Sequence, residues 1–256
     1  MKKYIYTITC CLLLFSACGR QKVSSYPLSD AVPDSIPTVY FTSEITPESL
    51  LKIYQALGVN PDGPVCVKIS TGESNKTNYL RPTFMRPLVD HVHGTIVECC
   101  TAYGGHRQDP KKHWATIREH GFDTIAPVDL MDEFAQMRIP VADTTHLKCD
   151  IVGANLKKYR WMINLAHFKG HGMGGYGGVL KNASIGVASS RGKVYIHSAG
   201  RSEHPLGGWM PGNVATGPGQ DLFIESMAAA AQAVHNYMGG RIVYINVMNN
   251  LSVDCD

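Results

Sequence analysis

The chain has 256 residues and a formal net charge of +3 at neutral pH. It contains no stripe of lysines and arginines with interleaved aromatic residues, so nucleic acid is not expected as a partner. The length suits one large α/β domain or two small ones and is ample for a hydrophobic core.

The N-terminus predicts an export signal. A basic start, an apolar run over residues 4–15 and small residues lead up to Cys18. The run is shorter than the roughly 20 residues that span a bilayer as a helix, so residues 1–17 are predicted to be a cleaved signal peptide. Cys18 follows Ser-Ala and resembles the lipidated cysteine of bacterial lipoproteins. An ordinary signal peptide with an incidental cysteine is the alternative.

The prediction for the mature protein is a lipid-anchored protein of the bacterial cell envelope, on the periplasmic or outer membrane. Residues 18–37 are rich in serine and proline and are predicted to form a flexible tether after the lipidated Cys18. Residues 38–256 would then form the folded domain, whose partners are the membrane and a small molecule or anion.

The cysteines do not form a recognisable cofactor motif. Of eight cysteines, three lie in the signal or at the lipidation site, and five remain: Cys66, Cys99, Cys100, Cys149 and Cys255. An odd number in an exported protein implies a free thiol, an intermolecular pair or a ligand. No CxxC occurs, so a self-contained four-cysteine iron–sulfur (4Fe–4S) or zinc site is not expected.

Beyond the tether, β-prone runs alternate with helical ones. The predicted elements are a strand at 39–41, a helix opened by Thr46-Pro47 and ended by Gly58, a strand at 65–69, a helix at 83–92, a strand at 95–99, a helix at 114–120 capped by Gly121, a strand at 125–130, apolar runs at 161–166 and 242–247, and a helix at 221–238. This alternation predicts a single α/β domain with a mostly parallel sheet flanked by helices.

Two polar segments follow the early strands, and ligands of open α/β sheets bind beyond the carboxyl ends of strands. Residues 68–73 carry Lys68, two hydroxyls and a carboxylate, although a surface turn explains them equally well. In residues 98–107, Gly104, Gly105 and Arg107 could hold an anion while Glu98 acts as base or ligand. A tight turn with a buried glutamate is the alternative.

The third segment, residues 167–182, is the most distinctive, with five glycines among residues 172–178. Glycine costs a helix interior about 1 kcal/mol relative to alanine, so a loop is predicted whose backbone approaches a ligand closely. Neutral imidazoles suit a metal ion, whereas lysines and loop amides suit phosphate or carboxylate. The candidate residues are His167 and His171 as metal ligands, and Lys169, Gly174, Gly175, Lys181 and Asn182 for an anion.

The spacing of this segment excludes two common nucleotide motifs. Neither the phosphate-loop pattern nor a dinucleotide fingerprint is present, and Lys181 precedes Asn182 rather than a hydroxyl that would bind magnesium. Nucleotide hydrolysis is therefore not expected.

Three stretches resemble the DUF362 family, often labelled as uncharacterised Fe–S centre proteins: GTIVECCTAYGGHR at residues 94–107, HFKGHGMGGYGGVLKNASIG at 167–186 and INVMNNLSVDCD at 245–256. Many relatives carry a ferredoxin-type cysteine run, which this chain lacks. Relatives also continue past the last stretch, so a truncated, inactive family member is one expectation. The glycine-rich segment is, more distantly, similar to a loop of the nickel-pincer lactate racemases.

The hypothesis is a site with Glu98, His167 and Lys181 as candidate catalytic groups, possible use in redox chemistry, and an unknown cofactor that could be nickel, zinc or iron. The alternative from a different class is a non-catalytic envelope protein that binds a small anion through the same residues.

Overall fold

The computed structural model describes residues 38–204 and 219–249. Within these residues the strands are β1 (Val65–Lys68), β2 (Thr95–Glu98), β3 (Val128–Leu130), β4 (Gln136–Ile139), β5 (Asp150–Gly153), β6 (Trp161–His167), β7 (Lys169–His171), β8 (Gly175–Gly177) and β9 (Ile242–Val247). The α-helices are α1 (Pro47–Ala56), α2 (Pro82–His91), α3 (Pro110–His120), α4 (Val179–Ala183), α5 (Ser190–His197) and α6 (Gln220–Tyr237).

A five-stranded sheet in the order β3-β2-β1-β6-β9 forms the centre of the domain, and all of its pairings are parallel. From β1 the chain first adds strands on one side and later, through β6 and β9, on the other. The order therefore reverses between β1 and β6, and crevices at such reversals are the usual ligand sites of α/β sheets. The predicted α/β fold with a mostly parallel sheet is confirmed.

The two faces of the sheet pack against separate hydrophobic clusters. Val65 and Val67 of β1 pack in one cluster with apolar residues of α1 and α2, whereas Cys66 between them packs in a second cluster with Val234 of α6. Successive side chains of a strand point to opposite faces. Helices therefore cover both faces, which explains why every residue of β1 is buried.

Capping residues mark the start of α1 and the end of α3. Thr46 Oγ1 accepts a hydrogen bond from Ser49 N at 3.1 Å, and Ser49 Oγ accepts one from Thr46 N at 3.0 Å, so a reciprocal capping box starts α1. Gly121 ends α3 with a φ of 78°, a left-handed conformation that glycine adopts without a steric penalty. The start of α1 and the end of α3 were correctly predicted because these signals lie within one turn of the helix end, whereas α3 begins at Pro110, four residues before the predicted helix.

Some predicted elements differ from the structure. Residues 39–41 form no strand, and Val39 and Phe41 are 88% and 81% exposed, because this short run has no neighbouring strand to pair with. The glycine-rich segment, predicted as a loop, contains the antiparallel pair β7–β8, with Gly170 opposite Tyr176. The Phe168 and Tyr176 rings stack at 5.2 Å between their centroids beside this pair.

The pair β4–β5 and helix α5 were not predicted. Helix α5 packs closely on β5, and a Cβ at Gly192 would lie 1.9 Å from the carbonyl oxygen of Ile151. No helix in the described ranges is both long and apolar enough to span a bilayer. The predicted signal peptide, Cys18, the tether and Cys255 lie outside the described residues.

Candidate functional site

The three polar segments of the sequence meet at one edge of the sheet. β1, β2 and β6 are neighbours and run parallel, so the residues that follow them share that edge. A cavity of about 350 Å³ lies there. The predicted site residues that line it are Lys68, Glu98, Arg107, His167, Lys169, His171, Lys181 and Asn182. The fold thus brings together side chains as far as 114 positions apart.

Lys68, at the end of β1, is fully buried at the base of the cavity. Its Nζ lies 2.9 Å from Glu98 Oε2 and 2.9 Å from Asn182 Oδ1, and it also donates to the carbonyl oxygen of Ile69. An ammonium group has three protons. Because three acceptors already use them, Lys68 joins the segments of the site to one another and is not oriented to donate to a ligand.

Glu98 is held ionised by its surroundings. Its Oε1 accepts a hydrogen bond from Thr71 N at 3.0 Å and lies 3.6 Å from Arg107 Nη1. Burial by itself raises the pKa of Glu98, but the positive charges of Lys68 and Arg107 outweigh it and bring the pKa down to about 2. Burial lowers the pKa of Lys68, and Glu98 counteracts that effect. The two residues form a buried ion pair.

Asn182 extends this arrangement towards the glycine-rich segment. Its side-chain amide donates to the carbonyl oxygen of Lys68 at 3.0 Å and to Asn164 Oδ1 at 2.7 Å. Asn164 in turn donates to the carbonyl oxygen of Val179 at 2.8 Å. The start of α4 is therefore tied to the centre of the sheet through side-chain amides.

A second cluster around Arg107 connects the loops after β1 and β2. Arg107 Nε donates to Glu73 Oε1 at 2.8 Å, and Arg107 Nη2 donates to the Tyr103 hydroxyl at 3.0 Å. The Tyr103 hydroxyl donates to the same Glu73 oxygen at 3.1 Å. Burial tends to raise the pKa of Glu73, but the charge of Arg107 and these hydrogen bonds lower it. Both carboxylates that line the cavity are thus ionised and paired.

His171, in β7, has a defined protonation state. The backbone N–H of Gly174 donates to His171 Nδ1 at 2.9 Å, so Nδ1 is the acceptor nitrogen of the ring. Burial and, to a smaller degree, the nearby Lys181 lower the pKa of His171 to about 4. At neutral pH the ring is therefore neutral with its proton on Nε2, which makes it a hydrogen-bond donor.

His167, at the end of β6, faces two carbonyl oxygens. Its Nδ1 lies 3.4 Å from the carbonyl oxygen of Asn78, and its Nε2 contacts the carbonyl oxygen of Asn249. A carbonyl oxygen only accepts and a neutral imidazole has a single N–H, so only one of the two contacts can be a hydrogen bond of the neutral ring. A metal ion would need these contacts to rearrange. The described ranges contain no group of three histidine, cysteine, aspartate or glutamate side chains suited to a metal, and the metal site stays a prediction.

Two residues of α5 that line the cavity, Lys193 and His197, are not among the predicted site residues. Lys193 is 6% exposed, lines the cavity and donates to the carbonyl oxygen of Ala188 at 2.6 Å. His197 lines the cavity too, and burial lowers its pKa to about 4. Neither residue follows a strand of the sheet. Their spacing of four positions places them on one face of a helix, but that signal alone does not distinguish a site from a core.

The glycines of the site are not the ones predicted. Gly104, Gly105, Gly174 and Gly175 do not line the cavity, whereas four others do: Gly172, Gly177, Gly178 and Gly186. Gly174 contributes indirectly through its bond to His171, and the backbone N–H of Gly105 donates to Gln108 Oε1 at 3.3 Å. The cysteines of the described residues, Cys66, Cys99, Cys100 and Cys149, are free thiols.

Comparison with known proteins gives one family. The family model described as a domain of unknown function, DUF362, matches residues 65–256, which include every strand and the whole lining of the cavity. No curated protein matches the chain.

Proposed function

Because the chain belongs to the DUF362 family, whose model spans the entire cavity, we propose that this domain binds a small anionic ligand at the carboxyl ends of β1, β2 and β6. One observation carries the proposal. The described lining contains five cationic side chains and two carboxylates: Lys68, Arg107, Lys169, Lys181 and Lys193, with Glu73 and Glu98. The described lining therefore contains three more cationic side chains than carboxylates, which favours an anion.

These cationic side chains have different proposed roles. Lys68 and Arg107 hold the two carboxylates and give the cavity its shape. Lys193 is the best candidate for direct contact, because among the described residues one hydrogen bond accounts for only one of its three protons. The Nε2–H of His171 is a neutral donor that can add directionality. Catalytic roles for Glu98, His167 and Lys181 remain predictions.

The test of anion binding uses inorganic phosphate and acetate as probes. We expect either anion, titrated into the full chain at constant ionic strength, to raise Tm because it binds the folded state. Lys193→Met keeps most of the side-chain volume but removes the charge, so we expect at least a tenfold loss of affinity, about 1.4 kcal/mol. Isothermal titration calorimetry would measure this loss directly.

Lys112→Met is the matched control, since Lys112 lies on the exposed surface of α3 with half of its side chain accessible. It should bind the probes as the unaltered chain does. Lys193→Arg should retain part of the affinity because the charge is kept. Equal affinity of Lys193→Met and the unaltered chain would contradict a ligand role for Lys193, and no binding of either probe would overturn the proposed function.

We also propose that the domain is attached to the outer face of a bacterial membrane through lipid on Cys18. The support is the signal-like start of the chain and the cysteine that follows Ser-Ala. We expect Cys18→Ser to abolish metabolic labelling with a palmitate analogue and to move the protein out of the membrane fraction. Cys11→Ser is the matched control and should label normally. Labelling that persists in Cys18→Ser would contradict the anchor.

A further inference from the structure

The walls of the cavity are largely apolar as well as positively charged. Apolar side chains from four separate segments line it: Ala102 and Tyr103 after β2, Ala166 in β6, Met173 between β7 and β8, and Ile185 after α4. The greater part of the exposed lining is apolar. Pockets for organic ligands show this composition, with a mainly apolar wall and a few placed polar groups.

The volume supports the same conclusion. A cavity of about 350 Å³ falls in the range of ~300–1,000 Å³ that is typical of sites for organic ligands. An inorganic anion has no apolar part and would leave the apolar wall in contact with water. Covering that wall with a ligand's hydrocarbon part is favourable in proportion to the apolar area removed from water.

We infer that the ligand is an organic anion with an apolar body, whose carboxylate or phosphate group faces the lysines and whose hydrocarbon part contacts the apolar wall. This inference rests on the proposed anion site and adds the class of molecule that the site selects. The apolar residues come from segments far apart in the chain, so their meeting around a cationic cavity is a property of the folded domain.

The side chain of Met173 offers the cleanest way to change the wall without changing the charge. Met173 is half-buried in the turn between β7 and β8 and lines the cavity. Glutamine has the same length as methionine but is polar, so Met173→Gln alters the apolar character of the wall while roughly preserving its shape. Met248 is 51% exposed and lies outside the lining, so Met248→Gln is the matched control.

The experiment compares acetate, butyrate, hexanoate and inorganic phosphate by isothermal titration calorimetry on the full chain at constant ionic strength. Each buried methylene is worth about 0.8 kcal/mol, or roughly fourfold in affinity. Because burial will be incomplete, we expect hexanoate to bind at least about tenfold more tightly than acetate. In Met173→Gln this preference should fall by about threefold, whereas Met248→Gln should keep it.

The outcomes separate the two proposals. Binding of acetate or phosphate with no gain along the carboxylate series would overturn the organic-anion inference and leave the proposed anion site standing. Binding of none of the four probes would overturn both. An equal preference for hexanoate in Met173→Gln and in Met248→Gln would overturn the assignment of the apolar wall. Whichever of acetate and phosphate binds more tightly indicates whether the head group of the ligand is a carboxylate or a phosphate.

Discussion

Lys68→Met is expected to lower the free energy of unfolding by about 3–5 kcal/mol, the cost of leaving one partner of a buried ion pair without the other. Lys68 is fully buried, and its amine reaches Glu98, Asn182 and the carbonyl oxygen of Ile69. Methionine fills the space but donates no hydrogen bond, so three buried acceptors lose a donor at once. Urea denaturation followed by circular dichroism would measure the change.

Lys158→Met is the control for this experiment. Lys158 lies 3.4 Å from Asp129, and 55% of its side chain is exposed, so loss of the pair should change stability by about 1 kcal/mol or less. Adding Glu98→Gln to Lys68→Met should recover part of the loss, because the double variant no longer buries an unmatched charge. Similar small effects of Lys68→Met and Lys158→Met would contradict the structural role given to Lys68.

The stability of the unaltered chain is expected to fall at acidic pH. The pKa of Glu98 is about 2 in the folded state, below the value of about 4.3 expected in the unfolded chain. Its contribution to stability is therefore fully present above about pH 4.5 and is lost as the pH falls towards 2. In Glu98→Gln this part of the acid sensitivity should be missing.

Gly186→Ala is expected to reduce both stability and binding of phosphate or acetate. A Cβ at this position would lie 2.3 Å from the carbonyl oxygen of Asn182 and 2.9 Å from Lys68 Nζ. The carbonyl belongs to the backbone of α4 and cannot turn away as a side chain would. Overpacking typically costs about 1–3 kcal/mol, and here the displaced groups are the ones that shape the base of the cavity.

Gly172→Ala is a closely matched control because Gly172 lines the same cavity, and a Cβ there would meet nothing within 4 Å. We expect it to bind phosphate or acetate with little change and to unfold at nearly the same urea concentration. Calorimetric titrations would compare the affinities of the two variants, and urea denaturation curves would compare their stabilities. If Gly186→Ala matched Gly172→Ala in both measurements, the close packing around Lys68 would not matter for the site.

Prediction from sequence succeeded where the signal is local or periodic. Thr46 and Gly121 mark helix ends within one turn, and the apolar run of β9 has the predicted bounds, 242–247. Prediction failed where the structure depends on which strands pair with each other. Residues 39–41 have the composition of a strand but pair with none, whereas the glycine-rich residues 169–177 pair with one another despite their composition.

The sequence by itself determined the α/β class, the order of the central strands along the chain and the three polar segments that follow β1, β2 and β6. It did so because periodicity, capping residues and strand ends are properties of neighbouring residues. The spatial order β3-β2-β1-β6-β9 was decided only by tertiary structure, since it depends on which strands pair across the sheet.

That order placed Glu98 and Asn182 within hydrogen-bonding distance of Lys68 and brought Lys193 from α5 to the same cavity. Contacts between residues so far apart depend on long-range packing that no local pattern records. Packing also committed the donors of Lys68 to other groups of the protein, and we propose Lys193 as the cation that contacts a ligand.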